Sequence, residues 1–267
     1  MSTTSPTVPS RSVCPITKAY SPDKPLKTHT FVSHSLRPAQ KMHLEWAWGL
    51  QPHQLTVKSV RNCIGYRSDI LGNSLNGDFV LVPTMATLNR MIAYWALPCD
   101  TPTVYHTRTL GIEFIKHRRI PFTDYMPETS FRYFFVPITP AGSSIRSQYL
   151  QDPSSSLLEA DYSGSFDPVP GDDVDPETLT QFRVVTSHVH PFFVALTALG
   201  LLLPIRNRPG HWPLWTAVYW FMHFCMDASD YPPAWFRRRY KGIEFEKEYD
   251  DDERMDVETT DEEGGEF

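Results

Sequence analysis

Paired cysteines are missing from this sequence. Its four, Cys14, Cys63, Cys99 and Cys225, are widely scattered over 267 residues, with no Cys-x-x-Cys among them. That excludes a zinc knuckle, a redox pair and a disulfide framework, and it points to a reducing intracellular compartment, nucleus or cytoplasm. A glycine-rich phosphate loop with its lysine, a Gly-x-Ser-x-Gly elbow and a zinc-protease motif are also missing. Their absence leaves the common nucleotide-hydrolysing and hydrolase classes without support. The two most apolar stretches, Phe192–Leu203 and Trp212–Met226, both fall short of the ~20 residues that cross a bilayer as a helix. The first 27 residues have no apolar run of the kind a secretory signal needs. Their basic Arg11 and Lys18 faintly suggest a mitochondrial presequence, but the prolines break the helix such a segment requires.

What is present is the composition of a globular protein: 41% hydrophobic and 13% aromatic, with 24 prolines that imply many loops. The formal charge of −6 is unevenly spread. Glu244 to Phe267 holds 13 acidic and two basic residues, a net of −11, which leaves 23 basic against 18 acidic, or +5, on the remainder. A basic body with an acidic tail fits nucleic-acid binding restrained by the tail. A solvated, disordered tail that keeps the chain soluble is the plainer account.

These features divide the chain into a disordered arm over 1–27, one α+β domain over 28–243 and an acidic disordered tail over 244–267. Within the domain, short strands alternate with several helices. His34 to Leu50 carries a first helix, with Met42 and Trp46 on one face and His43 packed or at the surface. Thr103 to Ile115 mixes β-branched and aromatic residues and fits strand or helix. Phe131 to Ile138 reads as a buried strand. Residues 141–180 read as a long loop insertion, rich in Ser, Gly and Asp-Pro pairs. Phe182 to Thr186 is a further short strand. The apolar stretches at 192–203 and 212–226 form two very apolar helices near the C-terminus, joined by a Pro-Gly turn. Core helices are one reading. A membrane hairpin is the other, with Arg237-Arg238-Arg239-Tyr240-Lys241 as its cytoplasmic basic flank, a cluster that also fits a nuclear-import signal.

The densest information lies between Asn62 and Pro83. Asn73 to Asp78 is rich in turn formers, and Asn76-Gly77 favours the positive φ of a tight turn. Phe79-Val80-Leu81-Val82 then reads as a buried strand stopped by Pro83, and Thr84 opens a helix with Met85, Leu88, Met91 and Ile92 at helical spacing. The unit therefore reads loop, turn, strand, helix.

Asn62, Ile64, Arg67, Asp69 and Ile70, followed by Phe79, Leu81, Val82 and Pro83, resemble the C-terminal part of the HNH-endonuclease-like proteins abundant in mushroom-forming fungi. Phe131 to Ile138 is similar to that family's aromatic strand, and Ser187-His188-Val189-His190-Pro191 to its Ser-His-x-His-Pro block. The resemblance spans roughly residues 40 to 235. It implies a site in which histidines and an Asn hold a divalent cation at a phosphodiester and one histidine deprotonates water. This chain departs from that pattern. Leu71 and Gly72 stand where the family has a histidine after Asp-Ile, Leu75 and Asn76 stand where it has an acid, and no general-base histidine precedes Asn62.

The resemblance with these departures implies a catalytically inactive relative that binds DNA or RNA, or a protein partner. Lys116, His117, Arg118 and Arg119 are the candidate phosphate contacts, or else a solvated turn. The alternative is a metal-dependent phosphodiesterase rebuilt around His188 and His190, with Asp69 or Asp78 assisting and Mg²⁺ or Mn²⁺ as its metal. On a strand His-x-His would place both rings on one face. At a helix start, with Pro191 in the first turn, the same pair would bond nearby backbone. No other cofactor is indicated. A membrane-associated regulatory protein is the third reading.

Overall fold

Gly77 has φ +73°, and the turn it allows delivers Phe79–Pro83 (β3) into the middle of the protein, where all five residues are buried. The computed structural model describes residues 13–19, 21–33, 35–97, 101–106, 113–158, 161, 179, 181–226, 232 and 234–240. β3 pairs antiparallel with Phe131–Pro137 (β6), which pairs antiparallel with Arg183–Ser187 (β7). Aromatic and β-branched residues on both faces of β6 are what a central strand covered on two sides requires. The described residues hold two further strand pairs: Leu26–Thr30 (β1) with Cys63–Arg67 (β2), and the hairpin Thr101–His106 (β4) with Glu113–Arg118 (β5).

Helices pack around these strands: Pro38–Ala47 (α1), Ser68–Leu75 (α2), Met85–Ala93 (α3), Phe122–Tyr125 (α4), Pro140–Tyr149 (α5), Pro191–Leu202 (α6), His211–Met226 (α7) and Ala234–Arg237 (α8). The architecture is α+β. α6 packs on β3, while α7 lies against α3, α6 and α1. Leu214, Ala217, Val218, Phe221 and Cys225, at helical spacing, form the buried side of α7. Trp48, at the end of α1, donates its indole N–H to Cys225 Sγ at 3.4 Å and meets Phe122, Phe192 and Phe193 edge-on or tilted. No helix among the described residues is long and apolar enough to cross a membrane.

Several expectations change. Asn62 to Ile70 is not a loop: β2 runs straight into α2, so the unit is strand, helix, turn, strand, helix. The arm is partly built in, because Cys14 and Ile16 are fully buried and β1 begins at Leu26. The first part of the supposed insertion is α5, capped by the Thr139 hydroxyl. Arg132 in β6 grips Asp161 through two hydrogen bonds of 2.7 and 2.8 Å and donates to Ser156 O, fastening the following segment to the sheet. Thr103 to Ile115 falls partly within the β4–β5 hairpin. Residues 1–12, the greater part of 159–180, and the acidic stretch 244–267 lie outside the described residues.

Candidate functional site

The stretches that begin at Asn62, Phe131 and Ser187 meet around His190. Asn62 is fully buried just before β2, and its side chain binds three backbone groups. Oδ1 accepts from Val32 N at 2.9 Å, while Nδ2 donates to Val32 O at 2.9 Å and to Val57 O at 2.8 Å. The neighbouring Arg61 carbonyl accepts from His190 N at 2.8 Å. From β6, the Phe131 ring sits 5.1 Å from the His190 ring, and the Tyr133 hydroxyl donates to Val189 O.

His190 does not share a face with His188. β7 ends at Ser187, before the pair begins. His188 is exposed, Val189 is buried, and His190 is the fully buried N-cap residue of α6. Its ring is packed against Phe122, Phe131 and Phe192. Nδ1 accepts from Phe192 N at 3.5 Å, and Nε2 lies 3.2 Å from Met126 O, which assigns the neutral tautomer with the proton on Nε2. Burial is the main cause that lowers its pKa to about 3, against the opposing pull of the Met126 carbonyl. Both ring nitrogens are thus engaged with backbone, as expected of a core histidine at a helix start.

A pH dependence follows. The unfolded chain takes up a proton on this imidazole near pH 6.5, and the folded chain does so only near pH 3. The stability His190 contributes is therefore complete above about pH 6.5 and falls by up to about 1.4 kcal/mol per pH unit below it. His190→Gln, which keeps an amide donor for Met126 O, is expected to flatten the fall in melting temperature between pH 6.5 and 4. His29 and His211 are also held low by burial, so part of the acid sensitivity stays. Parallel acid limbs in wild type and variant would refute the assignment.

Asp69 is engaged at the other end of β2. Arg67 donates to both its oxygens, Nε to Oδ1 and Nη2 to Oδ2, each at 2.7 Å, and Lys24 Nζ donates to Oδ2 at 2.9 Å. Arg67 also donates to the Tyr149 hydroxyl at 2.6 Å, which ties β2 to α5. These bonds, that from Arg67 first, hold the Asp69 carboxyl well below the ordinary carboxylate range. A carboxylate so fully used as an acceptor is a poor base. Asp78 Oδ1 accepts from the Thr139 hydroxyl at 2.6 Å, joining the Gly77 turn to the start of α5. Among the described residues no three His, Cys, Asp or Glu side chains form a group able to hold a metal ion.

The basic candidates sit elsewhere. Lys116, His117 and Arg118 are the last three residues of β5, paired with Thr103, Pro102 and Thr101. Arg119 follows, with its guanidinium 5.8 Å from the Trp95 ring centre. The cluster is the closing end of a strand and not a turn.

Two features escaped the sequence reading. One is a cleft of about 560 Å³ lined by Thr139, Ser143, Ser144, Ser147 and Arg208. Its signal was present in Thr139-Pro140, a helix start, followed by serines at positions 143, 144 and 147. The other is the outer side of α7, where Trp212, Trp215, Tyr219 and His223 stack in succession. Their spacing of three and four was legible, but apolar residues surround it on the helix, and the stretch read as a core helix or as half of a membrane hairpin.

No protein-family model matches the chain, and no curated protein or solved structure matches it.

Proposed function

We propose that this protein is a non-catalytic, HNH-nuclease-like scaffold that binds nucleic acid, with the open end of the β4–β5 hairpin, where β5 finishes, as its phosphate contact. The observation that carries the non-catalytic half is the engagement of two of the candidates, His190 and Asp69. His190 is bound through both nitrogens to backbone, and Asp69 through both oxygens to Arg67 and Lys24. The basic half rests on the +5 body and on Lys116 to Arg119 being gathered at one strand end. Cys14, Cys63 and Cys225 are buried free thiols, which supports a reducing compartment, nucleus or cytoplasm.

The test is binding of labelled DNA and RNA by fluorescence anisotropy across a salt series. Affinity is expected to fall as salt rises. Lys116→Ala/Arg118→Ala is expected to weaken binding and reduce the salt slope by about two phosphate contacts. Arg119 is left intact because it packs on Trp95. Binding that ignores both salt and the double substitution would overturn the reading.

A further inference from the structure

Residues 191–226, which form α6, its connection and α7, contain no acidic residue, and Arg206 and Arg208 are their only Lys or Arg. Yet part of this hairpin faces solvent. Leu203 is 46% exposed, Trp212 43%, Tyr219 42% and Met226 47%. Leu196, Leu199, Trp215 and Trp220 on the same two helices are half-buried, with Trp215 and Trp220 against Tyr219. Arg206 lies with its guanidinium 5.8 Å from the Trp215 ring centre, so the positive charge stands at the edge of the apolar face. Arg208 extends to the serine-lined cleft and donates to Ile138 O at 3.1 Å.

We infer that this face docks the protein on a membrane surface that contains anionic lipid. Tryptophan and tyrosine favour the headgroup boundary, where an apolar body and a polar tip are both solvated. Leucine and methionine beside them reach the acyl region, and a helix lying in the plane of the interface needs no spanning length. The charge pattern selects this occupant. A second copy related by two-fold symmetry would bring the same uncharged face and the same two arginines together with no acid to answer them. Lipid phosphates and serine headgroups answer both. The faces of Trp215 and Tyr219 are already used in stacking with neighbours along the helix, which leaves ring edges outward and a poor platform for stacking bases. The inference is independent of nucleic-acid binding at the β4–β5 hairpin, and the substitutions that test it leave residues 116–119 unchanged.

The experiment is co-sedimentation of the full chain with phosphatidylcholine vesicles, with and without phosphatidylserine. Folding of each variant is checked by thermal melting. The wild type is expected to sediment with the phosphatidylserine vesicles. Leu203→Glu/Tyr219→Glu changes exposed positions only and is expected to abolish sedimentation while the protein stays folded. Arg206→Ala/Arg208→Ala is expected to lower partitioning onto phosphatidylserine vesicles on the order of 25-fold. Failure of the wild type to sediment with either vesicle overturns the inference, as does sedimentation that ignores both pairs of substitutions. A dimer by light scattering, broken by Leu203→Glu/Tyr219→Glu and unaccompanied by vesicle binding, would give the face to a second copy and equally overturn it.

Discussion

Asn62→Ala is expected to lower the stability of the protein by about 3–5 kcal/mol, because it strips partners from three backbone groups at once. Val32 loses both the acceptor for its N–H and the donor for its carbonyl, and Val57 loses a donor. Val32 is buried, so water cannot readily replace what is lost there. The effect spreads, because Asn62 also closes the end of the β1–β2 ladder by accepting from Phe31 N through its own carbonyl, and Arg61 beside it holds His190 N. Asn62→Asp is expected to do at least as much harm, since it keeps one acceptor, removes both donors and buries a charge. The Asn62 side chain is thus committed to the fold. Urea denaturation checks the prediction: an unfolding midpoint unchanged in Asn62→Ala would contradict it.

Gly49→Ala is expected to be worse still, with a loss of about 4 kcal/mol or more and little folded protein recovered. Gly49 has φ +68°, a conformation that costs an L-residue energy wherever it occurs. A Cβ built there would lie 2.3 Å from Ile120 O and 2.6 Å from Arg119 O. The nearer carbonyl is held in place: Ile120 O accepts from the Tyr94 hydroxyl at 2.6 Å, and Phe122 N is fixed to Trp48 O at 3.0 Å. The glycine therefore allows the chain leaving the basic hairpin to run against the end of α1. Circular dichroism of the variant with near-native signal and melting temperature would refute this account of the crossing.

How far the sequence could be read depended on where the stabilising interactions come from. Phe79–Pro83 and Phe131–Pro137 announce themselves because the first is a continuous apolar run and the second an apolar, aromatic run broken only by Arg132, each stopped by proline. Thr84 at the head of α3 and Pro191 at the head of α6 mark helix starts by local rules. α5 gives no such signal beyond its first residues. Its sequence has three serines and a glycine in ten residues, and Ile145 is its only large buried side chain. It is held from outside, by the Thr139 cap, by Gly142 packed on Asp78, and by Tyr149 bound to Arg67. The buried Cys14 and Ile16 lie in the short stretch Val13-Cys14-Pro15-Ile16, flanked by polar residues and too brief for any periodicity to flag.

The candidate site was half legible for the same reason. His-x-His spacing speaks of a metal when the residues form a strand and of a helix cap when they do not. The end of β7 at Ser187, the N-cap position of His190 and its enclosure by Phe122, Phe131 and Phe192 decide between them. The Arg67–Asp69 pair lies two residues apart and was open to view, but Lys24 and Tyr149, which complete it, come from distant parts of the chain.

One measurement bears directly on the central claim. Supercoiled plasmid is incubated with the purified protein and Mg²⁺ or Mn²⁺ and run on an agarose gel beside His188→Ala/His190→Ala. The account predicts a retarded plasmid that remains supercoiled once the protein is stripped off. Nicked or linear plasmid formed by the wild type and not by the double variant would contradict it, and would restore a working metal site to His188 and His190.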